Sequence, residues 1–315
     1  MKVLITGGAG FIGSHLASFL RAQAEVRVLD NLRGADRGRL KRQSLDFIEA
    51  SVLDTAALRA AMAEVDIVFH LAAMISVKES VENPRECLEI NALGTLNVLR
   101  AAADAHVRKL VFASSAAVYG DNPPVPTAET VAPQPRSPYA ITKLDGEYYC
   151  EMFAREGWLD TASLRFFNVF GPRQDPAGPY AAAVPSFMQR ALCGEPLTVF
   201  GDGEQSRDFI YVKDAVSALA FSAENAPVKG VFNCGYGCAT KINELVDRVL
   251  AATNSQSPVV YLPARPGDVR HSCASTEKLR DLGWLPMSSL DDGLREMLHG
   301  FQDPVGGDKM HPRSR

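Results

Sequence analysis

The first half of the chain alternates between short apolar runs and longer stretches with apolar residues at helical spacing. This pattern predicts strands at residues 3–6, 25–30, 45–49, 65–71 and 109–114, and helices at residues 11–22, 55–63, 84–105 and 139–156. Runs such as LVFA, at residues 110–113, are typical of strands covered on both faces. Strands that alternate with helices predict an α/β fold, a doubly wound parallel sheet with helices on both faces.

The pattern changes after about residue 166, where loops rich in Gly, Pro and Asp appear at 171–176 and 201–203. Helices are still predicted at 184–192 and 241–251. We expect residues 1–166 to form one domain, with a segment near 208–233 returning to it. Residues 167–207 and 234–302 then form a smaller C-terminal α/β lobe at the carboxyl edge of the sheet, where open α/β sheets bind ligands. The polar residues 303–315 are predicted to be a loose tail.

Composition argues against several classes of protein. Apolar residues make up 46% of the 315 residues, which allows a sizeable core, and the net charge is −4 with no basic run, so no nucleic-acid partner is expected. The sequence contains neither an apolar run of membrane-spanning length nor the pattern of a signal peptide. We therefore expect a cytoplasmic protein with no membrane partner. Six cysteines without metal-ligand spacing predict reduced thiols and no metal site.

A glycine-rich turn connects the first predicted strand to the first predicted helix. Gly7, Gly10 and Gly13 have the spacing of a dinucleotide-binding loop, which brings a pyrophosphate to the amino terminus of a helix. Asp30 ends the second strand, where a carboxylate binds the ribose hydroxyls and repels a 2′-phosphate. The motif predicts a Rossmann-type domain that binds NAD in preference to NADP, although Arg33 in the following loop leaves that preference partly open.

A tyrosine and a lysine, Tyr139 and Lys143, lie one turn apart on a predicted helix and so on one face of it. A nearby cation is expected to lower the pKa of a tyrosine, which then serves as a base toward a sugar hydroxyl. Ser115 ends the strand before this helix and is the predicted hydrogen-bond partner of the same hydroxyl, with Ser114 as an alternative. The predicted catalytic residues are Ser115, Tyr139 and Lys143.

Further cofactor contacts are predicted at the ends of the strands. Asp54 is placed either near the adenine or as the cap of the following helix, and these two roles stay open at this point. The predicted cofactor-binding residues are Gly7, Gly10, Phe11, Ile12, Gly13, Asp30, Asn31, Asp54, Leu71, Ala72, Ala73, Asn91, Tyr139 and Lys143.

These motifs carry a resemblance that covers the chain from its start to about residue 300. The glycine loop, Ser115 and the Tyr139–Lys143 pair resemble the extended short-chain dehydrogenase/reductase family. Within it, the chain is similar to nucleotide-sugar 4-epimerases of the UDP-galactose and UDP-N-acetylglucosamine 4-epimerase group. The most specific stretches are FASSAAVYG at 112–120, SPYAITK at 137–143, LRFFNVFGPR at 164–173 and RDFIYV at 207–212.

The resemblance implies roles for residues of the second lobe. Asn168 is expected to contact the sugar or its diphosphate, Arg207 and Arg265 to clamp the diphosphate, and Asp268 to accept from the uridine ribose. Phe200 is expected near the uracil. The full set of predicted substrate-binding residues is Ser115, Asn168, Thr198, Phe200, Arg207, Arg265, Asp268 and Ser272.

The resemblance also implies a reaction. Dehydratases and the UDP-glucuronate decarboxylase of this family carry a threonine followed by acidic residues where this chain has Ser115-Ala116-Ala117. Inversion at C4 of a UDP-hexose, through a transient 4-keto sugar, is therefore expected. Ser272 stands where epimerases restricted to plain hexoses carry a bulky tyrosine, which favours UDP-GlcNAc and UDP-GalNAc, with UDP-Glc and UDP-Gal also possible.

Other functions stay open. They are another nucleotide-sugar epimerase, for example of UDP-glucuronate, an NAD(P)-dependent nucleotide-sugar reductase, and a non-catalytic dinucleotide-binding regulator. The family resemblance also implies a homodimer formed through the two long helices. Apolar residues of those helices, such as Leu88, Leu99 and Phe153, face either a partner or the chain's own sheet.

Overall fold

A computed structural model describes residues 1–40, 45–176, 182–265, 267 and 269–302. Within these residues the strands are β1 Lys2–Thr6, β2 Glu25–Asp30, β3 Asp46–Glu49, β4 Ile67–His70, β5 Lys109–Ser115, β6 Asp160–Phe166, β7 Asn168–Phe170, β8 Leu197–Phe200, β9 Ser206–Tyr211, β10 Gly230–Cys234, β11 Ala239–Lys241 and β12 Val259–Leu262. The helices are α1 Phe11–Leu20, α2 Thr55–Ala61, α3 Val77–Glu82, α4 Pro84–Leu88, α5 Gly94–Asp104, α6 Pro138–Arg155, α7 Ala183–Cys193, α8 Val212–Glu224, α9 Ile242–Thr253, α10 Glu277–Asp281 and α11 Leu290–Gln302.

The main sheet confirms the predicted doubly wound α/β fold. Its order is β10-β6-β5-β4-β1-β2-β3, and all neighbouring strands pair in parallel. The chain crosses from one half of the sheet to the other between β1 and β4. The carboxyl ends of these two strands therefore form the crevice in which such sheets bind ligands.

Helices cover both faces of the sheet. On one face α1 packs against β1 and β2, and α8 packs against β5 and β6, through apolar side chains such as Ile5, Val28 and Leu164. On the other face α2, α5 and α6 pack against Leu4 and Phe112. Burial on both faces explains why these strands are apolar throughout.

The helix predicted at residues 84–105 is interrupted. The chain forms α4 and α5 with one wide π-helical turn between them, Glu89–Leu93. The hydroxyl of Thr95 donates to the carbonyl of Asn91 (2.5 Å), one turn back. One carbonyl of the widened turn therefore has a side-chain hydrogen-bond partner. The break is a feature that apolar spacing does not reveal.

The second half of the chain divides between the main sheet and smaller ones. Strand β10 pairs with β6 in the main sheet, and α8 packs against α1. Strands β11, β9 and β7 form a three-stranded sheet, and β12 pairs with β8. Helices α7 and α9 pack together beside them. No helix within the described ranges has the length and apolar character needed to cross a bilayer.

Candidate active site

The glycine loop brings three pieces of backbone into direct contact. Gly7 has φ of +72°, and a Cβ placed on it would lie 2.6 Å from the amide nitrogen of Ala72, which follows β4. A Cβ on Gly13 would overlap the carbonyl oxygen of Gly7. Gly10 precedes α1 and has no side chain to cover the first-turn amides. The result is a narrow cradle at a helix amino terminus, which fits a dinucleotide pyrophosphate.

Asp30 is buried beside this loop. One carboxylate oxygen accepts from the amide of Ala9 (2.9 Å) and the other from the amide of Leu32 (2.8 Å). The side chain therefore ties the glycine loop to the turn after β2, and its oxygens have further lone pairs for ribose hydroxyls. The guanidinium of Arg33 lies in ion pairs with Glu79 (3.0 Å) and Glu86 (2.9 Å).

Other predicted cofactor residues have structural partners of their own. The Oδ1 of Asp54 accepts from the amides of Ala56 and Ala57, both at 3.0 Å, so Asp54 caps α2. The side chain of Asn91 accepts from the amide of Met74 (2.7 Å) and donates to its carbonyl (2.9 Å). Asn91 therefore fixes the segment that carries Leu71, Ala72 and Ala73 beside the cradle. Contacts of these residues, and of Phe11, Ile12 and Asn31, with a cofactor stay predictions.

The amino terminus of α6 presents Tyr139. Ser137 caps the helix by accepting from the amide of Ala140 (3.1 Å), and Pro138 occupies its first turn. The hydroxyl of Ser80, on α3, accepts from the amide of Tyr139 (3.2 Å) and fixes the start of the helix from the side. Sequence reasoning missed Ser80. The side chain of Ser115 lies close enough to the phenol of Tyr139 to lower its pKa, so the structure brings these two predicted catalytic residues together.

Lys143 lies one turn further along α6 and is buried. Its ammonium donates to the carbonyl of Ala113 (2.7 Å) and lies 4.9 Å from the ring centre of Phe112 and 5.9 Å from that of Tyr139. Burial lowers the pKa of Lys143 to about 8. Burial also raises the pKa of Tyr139, although the nearby Ser115 side chain acts in the opposite direction. The expected lowering of the Tyr139 pKa was wrong for this state, because desolvation of the phenolate outweighs the stabilising groups.

The two neighbouring serines at the end of β5 have different partners. The hydroxyl of Ser114 donates to Glu147 on α6 (2.5 Å), whereas Ser115 lies against Tyr139. Adjacent residues of a strand point to opposite faces, so only one of them can face the crevice. The geometry favours Ser115. Glu147 was not predicted, although its position one turn beyond Lys143 places it on the same helix face.

The predicted substrate residues of the second lobe fall into two groups. In the first, Asn168 at the start of β7 donates to the carbonyl of Asp208 (3.1 Å), and Arg207 precedes Asp208 on β9. The amide of Ser272 donates to the carbonyl of Ser206 (3.1 Å), which places Ser272 beside the same strand.

The second group lies at the end of β8. Thr198 and Phe200 belong to this strand, and the guanidinium of Arg265 stacks on the ring of Phe200 at 3.7 Å. Asp268 lies outside the described residues. Binding of a nucleotide by either group stays a prediction.

Comparisons with known proteins identify the class. The model of the NAD dependent epimerase/dehydratase family matches residues 3–235, and the chain belongs to this family. It is similar to the UDP-N-acetylglucosamine 4-epimerase of Methanobrevibacter ruminantium M1, solved with UDP-N-acetylmuramic acid: TM-score 0.92, 39% identity, 96% of this chain and 98% of that one covered.

Two further relatives show the range of chemistry in the family. The UDP-glucose 4-epimerase of Thermotoga maritima, solved with UDP-glucose, has a TM-score of 0.91 and 41% identity over 97% of this chain and all of that one (100%). The UDP-N-acetyl-alpha-D-glucosaminuronate decarboxylase of Bacillus cytotoxicus is 35% identical over 96% of this chain and 98% of its own length. The overall family is therefore established, and the sugar and the reaction need separate arguments.

Proposed function

We propose that the protein is an NAD-dependent epimerase that inverts C4 of a UDP-hexose, with UDP-GlcNAc and UDP-GalNAc as the preferred pair. The observation that carries this proposal is the contact of Ser115 with Tyr139, one turn from the buried Lys143, at the strand ends beside the glycine cradle. Both structures compared above are of UDP-sugar 4-epimerases, which supports the same substrate class.

The side chains have distinct tasks in this reaction. The glycine cradle and Asp30 would hold NAD, which would supply a hydride acceptor and donor for C4 of the sugar. In its phenolate form, Tyr139 takes the proton of the sugar 4-hydroxyl, and the resulting phenol gives the proton back after the 4-keto sugar has turned over. Ser115 orients that hydroxyl, and the Lys143 ammonium stabilises the phenolate before it takes the proton.

Dehydration and decarboxylation are less well supported. Those reactions need an additional acid or base, and the residues after Ser115 are Ala116 and Ala117, which form a short 3-10 turn. The amide of Ala117 donates to Ser115 (3.1 Å), which fixes the turn beside the catalytic serine. The decarboxylase from B. cytotoxicus keeps this reaction as a second candidate. Release of carbon dioxide from a UDP-hexuronate would identify it.

The sugar preference rests on Ser272. Its side chain is small and half-buried, and its strand-like contact with Ser206 fixes where the side chain starts. A small residue there leaves room for a 2-acetamido group, whereas a tyrosine would fill the space.

The test is incubation of the purified protein with UDP-GlcNAc and, separately, UDP-Glc, without added cofactor, and resolution of the products by proton NMR. We expect UDP-GalNAc at equilibrium from the first, and loss of that product but not of UDP-Gal in Ser272→Tyr. Conversion of UDP-Glc alone by the wild-type protein would contradict the sugar preference. Conversion of neither sugar, even with NAD supplied, would contradict UDP-hexose epimerisation and favour the reductase reading.

We also propose that the protein is a homodimer through α4, α5 and α6. Leu99 and Phe153 face the chain's own sheet, but Leu88, Ile141 and Tyr148 are exposed, the last two by 48% and 58%. Helices α4 and α6 are in contact, so these apolar side chains lie on neighbouring helices. Ile141→Lys should convert dimers to monomers in sedimentation. A wild-type monomer would contradict the proposal.

A further inference from the structure

Behind the catalytic pair lies a buried carboxylate that the mechanism above does not use. Glu147, on α6, is only 3% exposed. Its Oε1 accepts from the hydroxyl of Ser114 (2.5 Å) and from Nε of Arg165 (2.9 Å), and its Oε2 accepts from Nη2 of Arg165 (2.7 Å). The arrangement is a bidentate ion pair with an additional hydroxyl donor, a geometry that fixes orientation as well as distance.

The same face of α6 contacts the end of β5 at three successive turns. Tyr139 lies beside Ser115, Lys143 donates to the carbonyl of Ala113, and Glu147 accepts from Ser114. The spacing of four residues places all three side chains in one row. Two of the contacts therefore hold Ala113 and Ser114, the two residues that precede Ser115.

Arg165 is itself fixed on several sides. It lies on β6, directly opposite Ser114 in the register of β5 and β6. Its guanidinium stacks on the ring of Tyr119 (4.6 Å), whose hydroxyl donates to Asn233 on β10 (2.6 Å). A carboxylate bound to such a guanidinium has little freedom to move. Glu147 thus holds α6, the helix that carries Tyr139, in a fixed position relative to the sheet.

Stability alone is a weak account of this pair. The cost of desolvating two buried charges offsets most of their attraction, and apolar residues of similar volume often replace such a pair without loss of stability. The direct consequence of the pair is the placement of Ser114 and the residue that follows it.

We propose that Glu147, held by Arg165, is a positioning residue that fixes the Ser115 hydroxyl against Tyr139 for transfer of the sugar 4-hydroxyl proton. The inference rests on the proposed epimerase function, because it concerns the geometry of that proton transfer. A misplacement of about 1 Å at a reacting group can reduce the rate by about a hundredfold. Loss of this contact is therefore expected to act on kcat and to leave substrate binding nearly unchanged.

Two variants and a control test the proposal. Ser114→Ala removes the link to the strand but leaves the Glu147–Arg165 pair, and we expect kcat to fall about tenfold or more with KM and Tm nearly unchanged. The double variant Glu147→Met/Arg165→Met removes both charges together, and we expect it to fold, to retain NAD and to lose kcat by at least as much. Asp160→Asn, which breaks the exposed pair with Lys229 (2.8 Å) at the opposite end of β6, should leave kcat unchanged.

Crystal structures of the wild type and Ser114→Ala give a readout that does not depend on turnover. We expect the distance between the Ser115 hydroxyl and the Tyr139 phenol to lengthen in the variant. An unchanged distance, or a kcat within twofold of the wild type in Ser114→Ala, would overturn the positioning role. A wild-type protein that converts no UDP-sugar would instead overturn the proposed function, and the structural comparison would still decide the positioning role.

Discussion

A buried histidine at the end of β4 predicts how the stability of the fold depends on pH. His70 ends β4, with Nδ1 2.7 Å from the hydroxyl of Thr6 and Nε2 2.9 Å from that of Thr95. The Thr95 hydroxyl donates its hydrogen to Asn91, so Nε2 carries the imidazole proton and Nδ1 accepts from Thr6. Both bonds fit the neutral ring. Burial, aided by the charge of Lys143, lowers the pKa of His70 to about 3.

The lowered pKa of His70 determines the direction and the size of the pH dependence of folding stability. The folded-state pKa lies below the unfolded value of 6.5, so below that pH the unfolded chain binds a proton that the folded chain does not. Stability is complete above about pH 6.5 and is lost as the pH falls toward 3. Each pH unit below 6.5 lowers the unfolding free energy by about 1.4 kcal/mol. His70 should therefore remove about 2 kcal/mol of unfolding free energy between pH 7 and pH 5. His15, whose pKa burial lowers to about 4, adds a similar loss.

Urea unfolding at pH 7 and pH 5 measures this effect. His70→Gln should be less stable than the wild type at pH 7, but its loss of stability on acidification should be smaller by about 2 kcal/mol. The control is His106→Asn, at an exposed position with φ of +56° that asparagine tolerates. It should retain the full wild-type loss. Equal losses in His70→Gln and the wild type would refute the argument that His70 is buried in its neutral form.

Two further predictions concern the site itself. Tyr139→Phe should retain NAD and the fold, but lose epimerase activity by at least about a hundredfold, since the Tyr139 phenolate is the proposed proton acceptor; NMR of the product mixture checks this, and near-normal turnover would exclude that role. Gly13→Ala should yield protein without bound NAD and with a lower Tm, because the added Cβ overlaps the carbonyl of Gly7; absorbance of the released cofactor measures it, and a normal NAD content would contradict the cradle.

Local chemistry explains which parts of the fold could be predicted from sequence. The glycine loop was predictable because close backbone contacts at Gly7 and Gly13 leave no room for side chains. The placement of Tyr139 and Lys143 on one face followed from helical spacing. Strand–helix alternation predicted the main sheet, since parallel strands buried on both faces are apolar throughout.

Other features depend on contacts between distant segments, which periodicity does not encode. The wide turn near Asn91 lies where the Asn91 side chain bonds to Met74 and Thr142, which are distant in the sequence. The choice between Ser114 and Ser115 depends on a partner from α6. Asp54 has the sequence position of both a cap and a ligand contact, and only the structure shows the cap. A charged residue such as Glu147 is not expected to be buried, and its burial is explained only by the ion pair with Arg165, which is distant in the sequence.

The central claim is that hydrogen leaves and returns to C4 of the same sugar while Tyr139 moves only the hydroxyl proton. UDP-GlcNAc deuterated at C4, incubated with the protein in ordinary water, tests this directly when the UDP-GalNAc product is analysed by NMR and mass spectrometry. The account predicts that the product retains deuterium at C4. Loss of that deuterium to solvent, or solvent hydrogen incorporated at C4 or C5, would contradict it.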